Sequence, residues 1–352
     1  MQRRLGVFAV FCASLAVSAT AQAATKTVYA GGPVNFQNQL QKKTGGGVDN
    51  FLINRVTINA GDTVVWNGKA SANGFHTVDF PKKGGADLPL ILPTGQLVNG
   101  VNDAAGNPFW FNGKVPALGL NPALLTASRG GTYDGSKRLD SGLPIGKPTD
   151  FKLKFTKPGV YKYYCDVHPG MVGYVVVKSK GTRVPSARSD AKTLAKEEAG
   201  YFAGAKKLDR TNPRGPNVSL GASGANGLEV YAMFPGKLTV KNGTTVTFAM
   251  AKGTREVHTA TFGPAAYLQA LATAFGTQPV FPGDTVYSSD PPGSITLNPS
   301  SHGNGFANTG VLDRESSTPF PPSGKITFTA PGTYHFICLV HPFMKGTVVV
   351  KP

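Results

Sequence analysis

The chain of 352 residues carries a formal net charge of +17, but its cations are dispersed in short runs such as Lys82-Lys83 and Lys206-Lys207. No long basic tract interleaved with aromatics is present, which argues against nucleic acid and leaves an acidic protein partner, an anionic surface or plain solubilisation as its use. The length suits about two domains, and 44 Gly with 27 Pro suits an all-β sandwich or barrel.

The chain opens with Arg3 and Arg4, an apolar run from Leu5 to Val17, and Ala21-Gln22-Ala23. A basic start, an apolar middle and an A-x-A site predict a signal peptide over 1–23 and an exported protein, periplasmic or extracellular. The paired arginines leave both the general and the twin-arginine export routes open, and Cys12 within the apolar run offers a lipid-anchored alternative. The run is too short to span a bilayer, and no later stretch is longer, so no transmembrane segment is expected once the leader is removed.

Next comes "RVTINAGDTVVW" (55–66), apolar and polar residues alternating around a Gly, which predicts two short strands joined by a tight turn. "FHTVDF" (75–80) follows, then a long stretch rich in Gly, Pro and Asn, then "KPGVYKYYCDVHPGMVGYVVV" (157–177). Residues 189–209 begin with Ser-Asp and continue in good helix formers, predicting a helix; 210–227 reads as linker. The first blocks then return as "KLTVKNGTTVTF" (237–248), "VHTATF" (257–262) and "APGTYHFICLVHPFMKGTVVV" (330–350), with a second short helix expected over 265–275. The chain is therefore one unit written twice: domain one over 24–178, a helix-containing linker over 179–227 and domain two over 228–352. Copy one is the longer between its histidine and its cysteine.

Tyr161, Tyr163 and Cys165 share one face of a strand by the two-residue period. Cys165 thus ends the strand pointing inward, and the turn through Pro169 and Gly170 can return His168 and Met171 to the cysteine sulfur. His76 comes from a distant strand end. One thiolate, two imidazoles and a weakly held thioether are the ligands of a blue-copper electron-transfer site. Cu(I) favours soft sulfur and Cu(II) favours nitrogen, so a mixed set on a stiff β scaffold suits neither state fully, and little has to move when an electron arrives. Copy two repeats the set as His258, Cys338, His341 and Met344. A Cys165–Cys338 disulfide is the competing reading for an exported chain, but a disulfide requires neither the histidine nor the methionine that accompanies each cysteine.

The three blocks resemble the cupredoxin family, and the Cys-x-x-His-x-x-Met loop is most similar to its amicyanin branch. The resemblance covers 47–80 and 151–178, then 228–262 and 324–352. It implies two tandem Greek-key cupredoxin β-sandwiches with long insertions, copper near one end of each, and electron exchange through exposed edges of His168 and His341. Redox partners with acidic docking faces, such as a cytochrome or a reductase, would fit the basic surface. The chain departs from the family pattern in two places. Thr77 and Thr259 stand where Asn is frequent, and the His–Cys insertions are far longer than single-domain relatives need; they can cover the copper end, form a partner surface or pack the domains together. Tandem cupredoxins also include copper oxidases and nitrite reductases, but these need His-x-His pairs or a histidine beside the blue-copper cysteine. Here Cys165 lies between Tyr164 and Asp166, and Cys338 between Ile337 and Leu339. Beyond the eight ligands only His302, expected in an exposed loop, and His335, expected on the outer face of a strand, are left. An electron carrier is thus favoured over an enzyme, with periplasmic copper storage or delivery as the alternative.

Overall fold

The computed structural model describes residues 23–352 except 74, 129, 147–148, 209–211, 294 and 317. The leader reading over 1–23 lies, but for Ala23, outside the described residues. Among the described residues no helix is long and apolar enough to cross a membrane.

Strand alternation sets the layers. Phe151–Phe155 reads Phe-Lys-Leu-Lys-Phe, with the odd positions buried and both lysines exposed, so one face enters a core and the other meets water. Phe151–Phe155 pairs antiparallel with Thr63–Trp66, which pairs parallel with Thr25–Ala30. The opposing sheet is built from Gly159–Tyr164, Val172–Lys178 and Arg55–Asn59, with Asp79–Phe80 at the far side. Trp66, Phe80, Phe155 and Tyr163 fill the space between these two sheets. A second sandwich has the same order. Asn217–Ser223, Thr245–Met250 and Ser323–Phe328 form one sheet. Lys237–Lys241, Lys345–Lys351, Gly332–Ile337 and Thr261–Phe262 form the other, with Phe248, Phe262, Phe328 and Phe336 between them. The protein is all-β in its cores, with two cupredoxin-type sandwiches.

Three details differ from the sequence expectations. Arg55–Asn59 and Thr63–Trp66, two strands around a tight turn at Gly61, do not pair with each other; they lie in opposite sheets, so the turn crosses the sandwich. The helix expected over 189–209 is present at Ala187–Leu208, but 210–227 is more than linker. Asn217–Ser223 sits inside a sheet of the second sandwich, between Thr245–Met250 and Leu228–Phe234. Its Gly and Ser content hid it, although Val218, Leu220 and Ala222 alternate inward. Finally, the sandwiches share a sheet. Gly46–Val48, from the first half, pairs antiparallel with Leu228, Glu229 and Val230 at the edge of the second. The helix Val34–Thr44 and the helix Ala187–Leu208 close over this junction through Phe36, Leu40, Tyr201 and Leu228.

The long insertions pack on each other. Ile91–Leu97 and Pro116–Leu120 form a hairpin, and Phe109 and Phe111 beyond it join Leu268, Leu271 and Phe306 from the second insertion. Trp110 Nε1 donates to the Ser288 carbonyl at 2.9 Å. His302 belongs to this contact and is not an exposed loop residue: it lies between Asp103 and Asp290 at 3.3 and 3.4 Å and against the ring of Phe109. His335 is exposed on its strand.

Each sandwich has an aromatic side chain lying over a glycine of the neighbouring strand: Tyr163 pairs in register with Gly173 and Phe336 with Gly346. A Cβ at either glycine would run into the facing ring. We therefore expect Gly173→Ala and Gly346→Ala each to destabilise the protein by about 1–3 kcal/mol, the usual cost of overpacking. Chemical denaturation of the metal-free chain measures this, and an unchanged midpoint would contradict the packing described.

Candidate metal centres

Both candidate centres lie where a strand ends and a short loop returns. In the first sandwich Cys165 follows Gly159–Tyr164, and Met171 precedes Val172–Lys178. The Cys165 N–H donates to the Met171 carbonyl at 3.0 Å, and the Met171 N–H donates to the His168 carbonyl at 3.0 Å. Pro169 fixes one backbone angle of this turn, and Gly170 takes the left-handed φ of +80° that glycine accepts at no cost. The second loop closes in the same way, Cys338 N–H to Met344 carbonyl at 3.1 Å and Met344 N–H to His341 carbonyl at 2.8 Å, with Phe343 in place of the glycine.

These loops bring three donor atoms together twice. Cys165 Sγ lies 3.5 Å from His168 Nδ1 and 3.9 Å from His76 Nδ1, and the two ring nitrogens are 2.9 Å apart. In the second sandwich Cys338 Sγ lies 3.7 Å from His258 Nδ1 and 3.9 Å from His341 Nδ1, with 3.2 Å between the nitrogens. An ion with bonds of about 2.0 Å to nitrogen and about 2.3 Å to sulfur sets such donors roughly 3.5–3.8 Å apart in a trigonal arrangement, so both triangles are near the size a metal requires. Met171 and Met344 are buried in the same apolar clusters as their cysteines. Both cysteines are free and buried, with no disulfide between them.

Three of the four rings have the protonation a metal needs. Burial pushes the pKa of His76 well below the usual histidine value and that of His258 down to about 3; burial also lowers His341. Their Nδ1 lone pairs are therefore free for a cation at neutral pH. Burial disfavours a charged His168 as well, but Asp49 and Glu256 beside it outweigh that and hold its pKa well above the ordinary value. The Cys338 thiol is pushed up to about 11 by burial, so a thiolate there requires a bound cation.

The sequence pattern identifies these side chains but not what surrounds them. His168 is only 4% exposed, so the exposed edge that family resemblance implies for it is not there. Its Nε2 faces into the junction between the sandwiches, 3.3 Å from Glu256 Oε1 and 3.9 Å from Asp49 Oδ1. His341 Nε2 reaches the other oxygen of the same carboxylate, Glu256 Oε2, at 3.6 Å, and the His341 side chain keeps 17% exposure. Phe343, 56% exposed, lies beside it. The junction encloses the first centre, while the second insertion packs beside the other: Leu312 exchanges backbone hydrogen bonds with His258, and Leu339 beside Cys338 joins the insertion cluster. Glu256 was hidden from sequence reasoning because it breaks the repeat: it aligns with Gly74 in copy one.

Thr77 and Thr259 act as braces. The Thr77 hydroxyl accepts the Asp166 N–H at 2.7 Å and donates to Asp166 Oδ2, while the Thr77 N–H donates to Cys165 Sγ at 3.4 Å. Thr259 repeats this, accepting the Leu339 N–H at 2.8 Å and donating its own N–H to Cys338 Sγ at 3.4 Å. A threonine thus ties the first histidine's strand to the cysteine loop through the residue after the cysteine.

Two β-sandwiches, each closing a histidine, cysteine, histidine and methionine at one end, define a cupredoxin arrangement. Residues 38–178, the first sandwich, match the family of copper-binding proteins of the plastocyanin/azurin type. A 26-residue segment is 65% identical to amicyanin-alpha of Methylorubrum extorquens, covering 7% of this chain and 22% of that protein. Among solved structures, oxidised plastocyanin from Dryopteris crassirhizoma is similar at 22% identity over 38% of this chain and 99% of its own, with a TM-score of 0.21. Reduced auracyanin from Roseiflexus castenholzii is similar at 22% identity over 39% and 95%, with a TM-score of 0.23.

Thr77→Val keeps the shape but leaves the buried Asp166 N–H without its acceptor, a loss of about 1–3 kcal/mol. Thr77→Ser should restore most of it. Denaturant midpoints of the two metal-free variants against the parent check this; equal midpoints for Val and Ser would remove the brace.

Proposed function

We propose that the chain is an exported electron-transfer protein with two type 1 copper sites, one held by His76, Cys165, His168 and Met171 and the other by His258, Cys338, His341 and Met344. The observation that carries this reading is the twofold convergence of a buried cysteine sulfur and two imidazole Nδ1 atoms, braced by the same threonine and loop hydrogen bonds. When bound, copper supplies a one-electron Cu(I)/Cu(II) couple, which the mixed sulfur and nitrogen donors tune. The residues do the rest. The loop hydrogen bonds hold the three donors in one geometry, the two threonine N–H groups stabilise negative charge on sulfur, and the apolar clusters exclude water. The domains are 24–178 and 228–352, with Asn217–Ser223 assigned to the second.

Storage or delivery is the weaker reading. Both thiols are buried beneath strand ends, whereas handing over a metal favours a reachable thiolate. The absence from the sequence of any His-x-His pair supports a carrier over an oxidase or nitrite reductase. The two sites differ in access. His168 is enclosed, so exchange with a redox partner takes place at His341 beside Phe343, and the basic chain favours a partner with an acidic docking face, such as a cytochrome or a reductase.

Copper loading of the mature chain should give an intense thiolate-to-copper band with two coppers per chain, halved in Cys165→Ser and halved in Cys338→Ser. Reduction of the remaining site by a protein partner should be much slower in Cys338→Ser than in Cys165→Ser, and should slow further as salt rises. A protein without the blue band would overturn the carrier reading in favour of storage or delivery. Equal rates in the two variants would overturn the assignment of the exchange edge.

A further inference from the structure

We infer that Glu256 is a bridge between the two sites, carrying the electron that the enclosed first site exchanges with the second and binding both into one coupled redox unit. This rests on the copper reading above. The two imidazoles concerned turn their Nδ1 atoms to the cysteine sulfurs and their Nε2 atoms to opposite oxygens of one carboxylate, 3.3 Å from His168 and 3.6 Å from His341. From one sulfur and ring to the other, the path is one imidazole, one carboxylate and one imidazole.

The carboxylate is fixed in place. Glu256 is buried, the Tyr231 hydroxyl donates to its Oε1 at 2.9 Å, and its backbone N–H donates to the Thr254 hydroxyl at 3.1 Å. The Tyr231 ring packs on His341 at 4.9 Å between centroids. Asp49 adds a second carboxylate on the His168 side, with its Oδ2 buried and without a hydrogen-bond partner. A structural ion pair would need only one imidazole; this carboxylate serves both, and it stands where the repeat is broken.

The geometry assigns the route because all four ligand residues of the first site, His76, Cys165, His168 and Met171, are buried. His168 is buried in the junction, whereas His341 retains a solvent-facing part. An electron entering at His341 reaches the first site by crossing Glu256. In that step one electron leaves the second site, which is oxidised, and arrives at the first, which is reduced; no bond forms or breaks, and both Nε2 protons stay where they are. The shared negative charge lies in a water-excluded junction, where Coulomb interaction is strong. A charge change at one site is therefore felt at the other, and the coupling is reciprocal.

The test uses the full mature chain, copper-loaded, with Glu256→Gln and Tyr231→Phe. The first removes the charge; the second keeps the charge but frees the carboxylate. In the parent, stopped-flow reduction by a protein donor should bleach both blue bands together. In Glu256→Gln, with two coppers and the full band retained, half the bleaching should fall into a separate phase slowed severalfold. Both potentials, followed by EPR during a redox titration, should rise because a charge that favoured the oxidised state is gone. Should Glu256→Gln fail to load, Tyr231→Phe should show the same slow phase with a smaller rise. A readout independent of turnover is the Nε2–H resonances of His168 and His341 in the reduced diamagnetic protein, protected from solvent exchange in the parent and less so in Glu256→Gln. Unaltered kinetics and potentials in whichever variant loads two coppers would overturn the bridge while leaving the copper reading intact. A parent without any blue band would overturn both.

Discussion

The arrangement of the protein depends on one short pairing, Gly46–Val48 against Leu228, Glu229 and Val230. Three residues of the first half extend the second sandwich's sheet, so the halves share backbone hydrogen bonds as well as side-chain packing. Asp49, next in the chain, donates its N–H to the Gly227 carbonyl at 2.7 Å. This pairing presses the ends of the two sandwiches together, and those are the ends that carry the cysteine loops. Gly47 has a tyrosine ring against it, and that tyrosine, Tyr231, is the one that holds Glu256. The junction and the site are thus one structure: the residues that join the halves also orient the carboxylate between them.

Much of this was legible in the sequence because β-strands and metal loops write themselves locally. The alternation in Phe151–Phe155, the run Val172–Lys178 after Met171, and the spacing of Cys165, His168 and Met171 each follow from a period or a turn that needs no knowledge of distant residues. The repeat then supplied the rest, since His76 and His258 are distant in sequence but align with each other. What remained hidden was non-local or non-repeated. No local signal says that Arg55–Asn59 and Thr63–Trp66 part into opposite sheets, because alternation is the same for a hairpin and for a crossing turn. Asn217–Ser223 was masked by its Gly and Ser residues, and its place in the sheet is set by partners on both sides. The burial of His168 depends on a contact between the two halves, which a unit read twice in isolation cannot contain.

The same logic explains the long insertions. A sandwich needs only its two sheets. Ile295–Leu297 and Ala307–Asn308 pair at the edges of the second sandwich's sheets, but residues 91–120 and most of 265–312 lie outside them. They bury Phe109, Phe111, Leu268, Leu271 and Phe306 against each other, with His302 held between the carboxylates of Asp103 and Asp290. Leu339, the residue after Cys338, joins this cluster too. The contact from the first insertion therefore reaches the second cysteine loop, and the two halves are tied at a second place away from the shared sheet. Two ties remove the hinge freedom that a single linker would leave, and a fixed distance between the loop histidines is what a bridge of one carboxylate demands.

The electrostatics of the junction follow from this rigidity. A buried carboxylate is costly unless it is paired and hydrogen-bonded. Burial alone would push the pKa of Glu256 up, but the rings of His168 and His341 draw it well below the usual carboxylate range. Asp49 shows the opposite case: burial dominates, and its pKa is raised well above the ordinary value despite His168 beside it. Two carboxylates around one imidazole are therefore not equivalent. Glu256 reaches both histidines and the Tyr231 hydroxyl, whereas Asp49 faces a single histidine from 3.9 Å. Glu256 thus stands between the two centres rather than on one of them. Two sets of identical residue types become unlike through position: one is enclosed against Glu256, and the other stands between Glu256 and solvent.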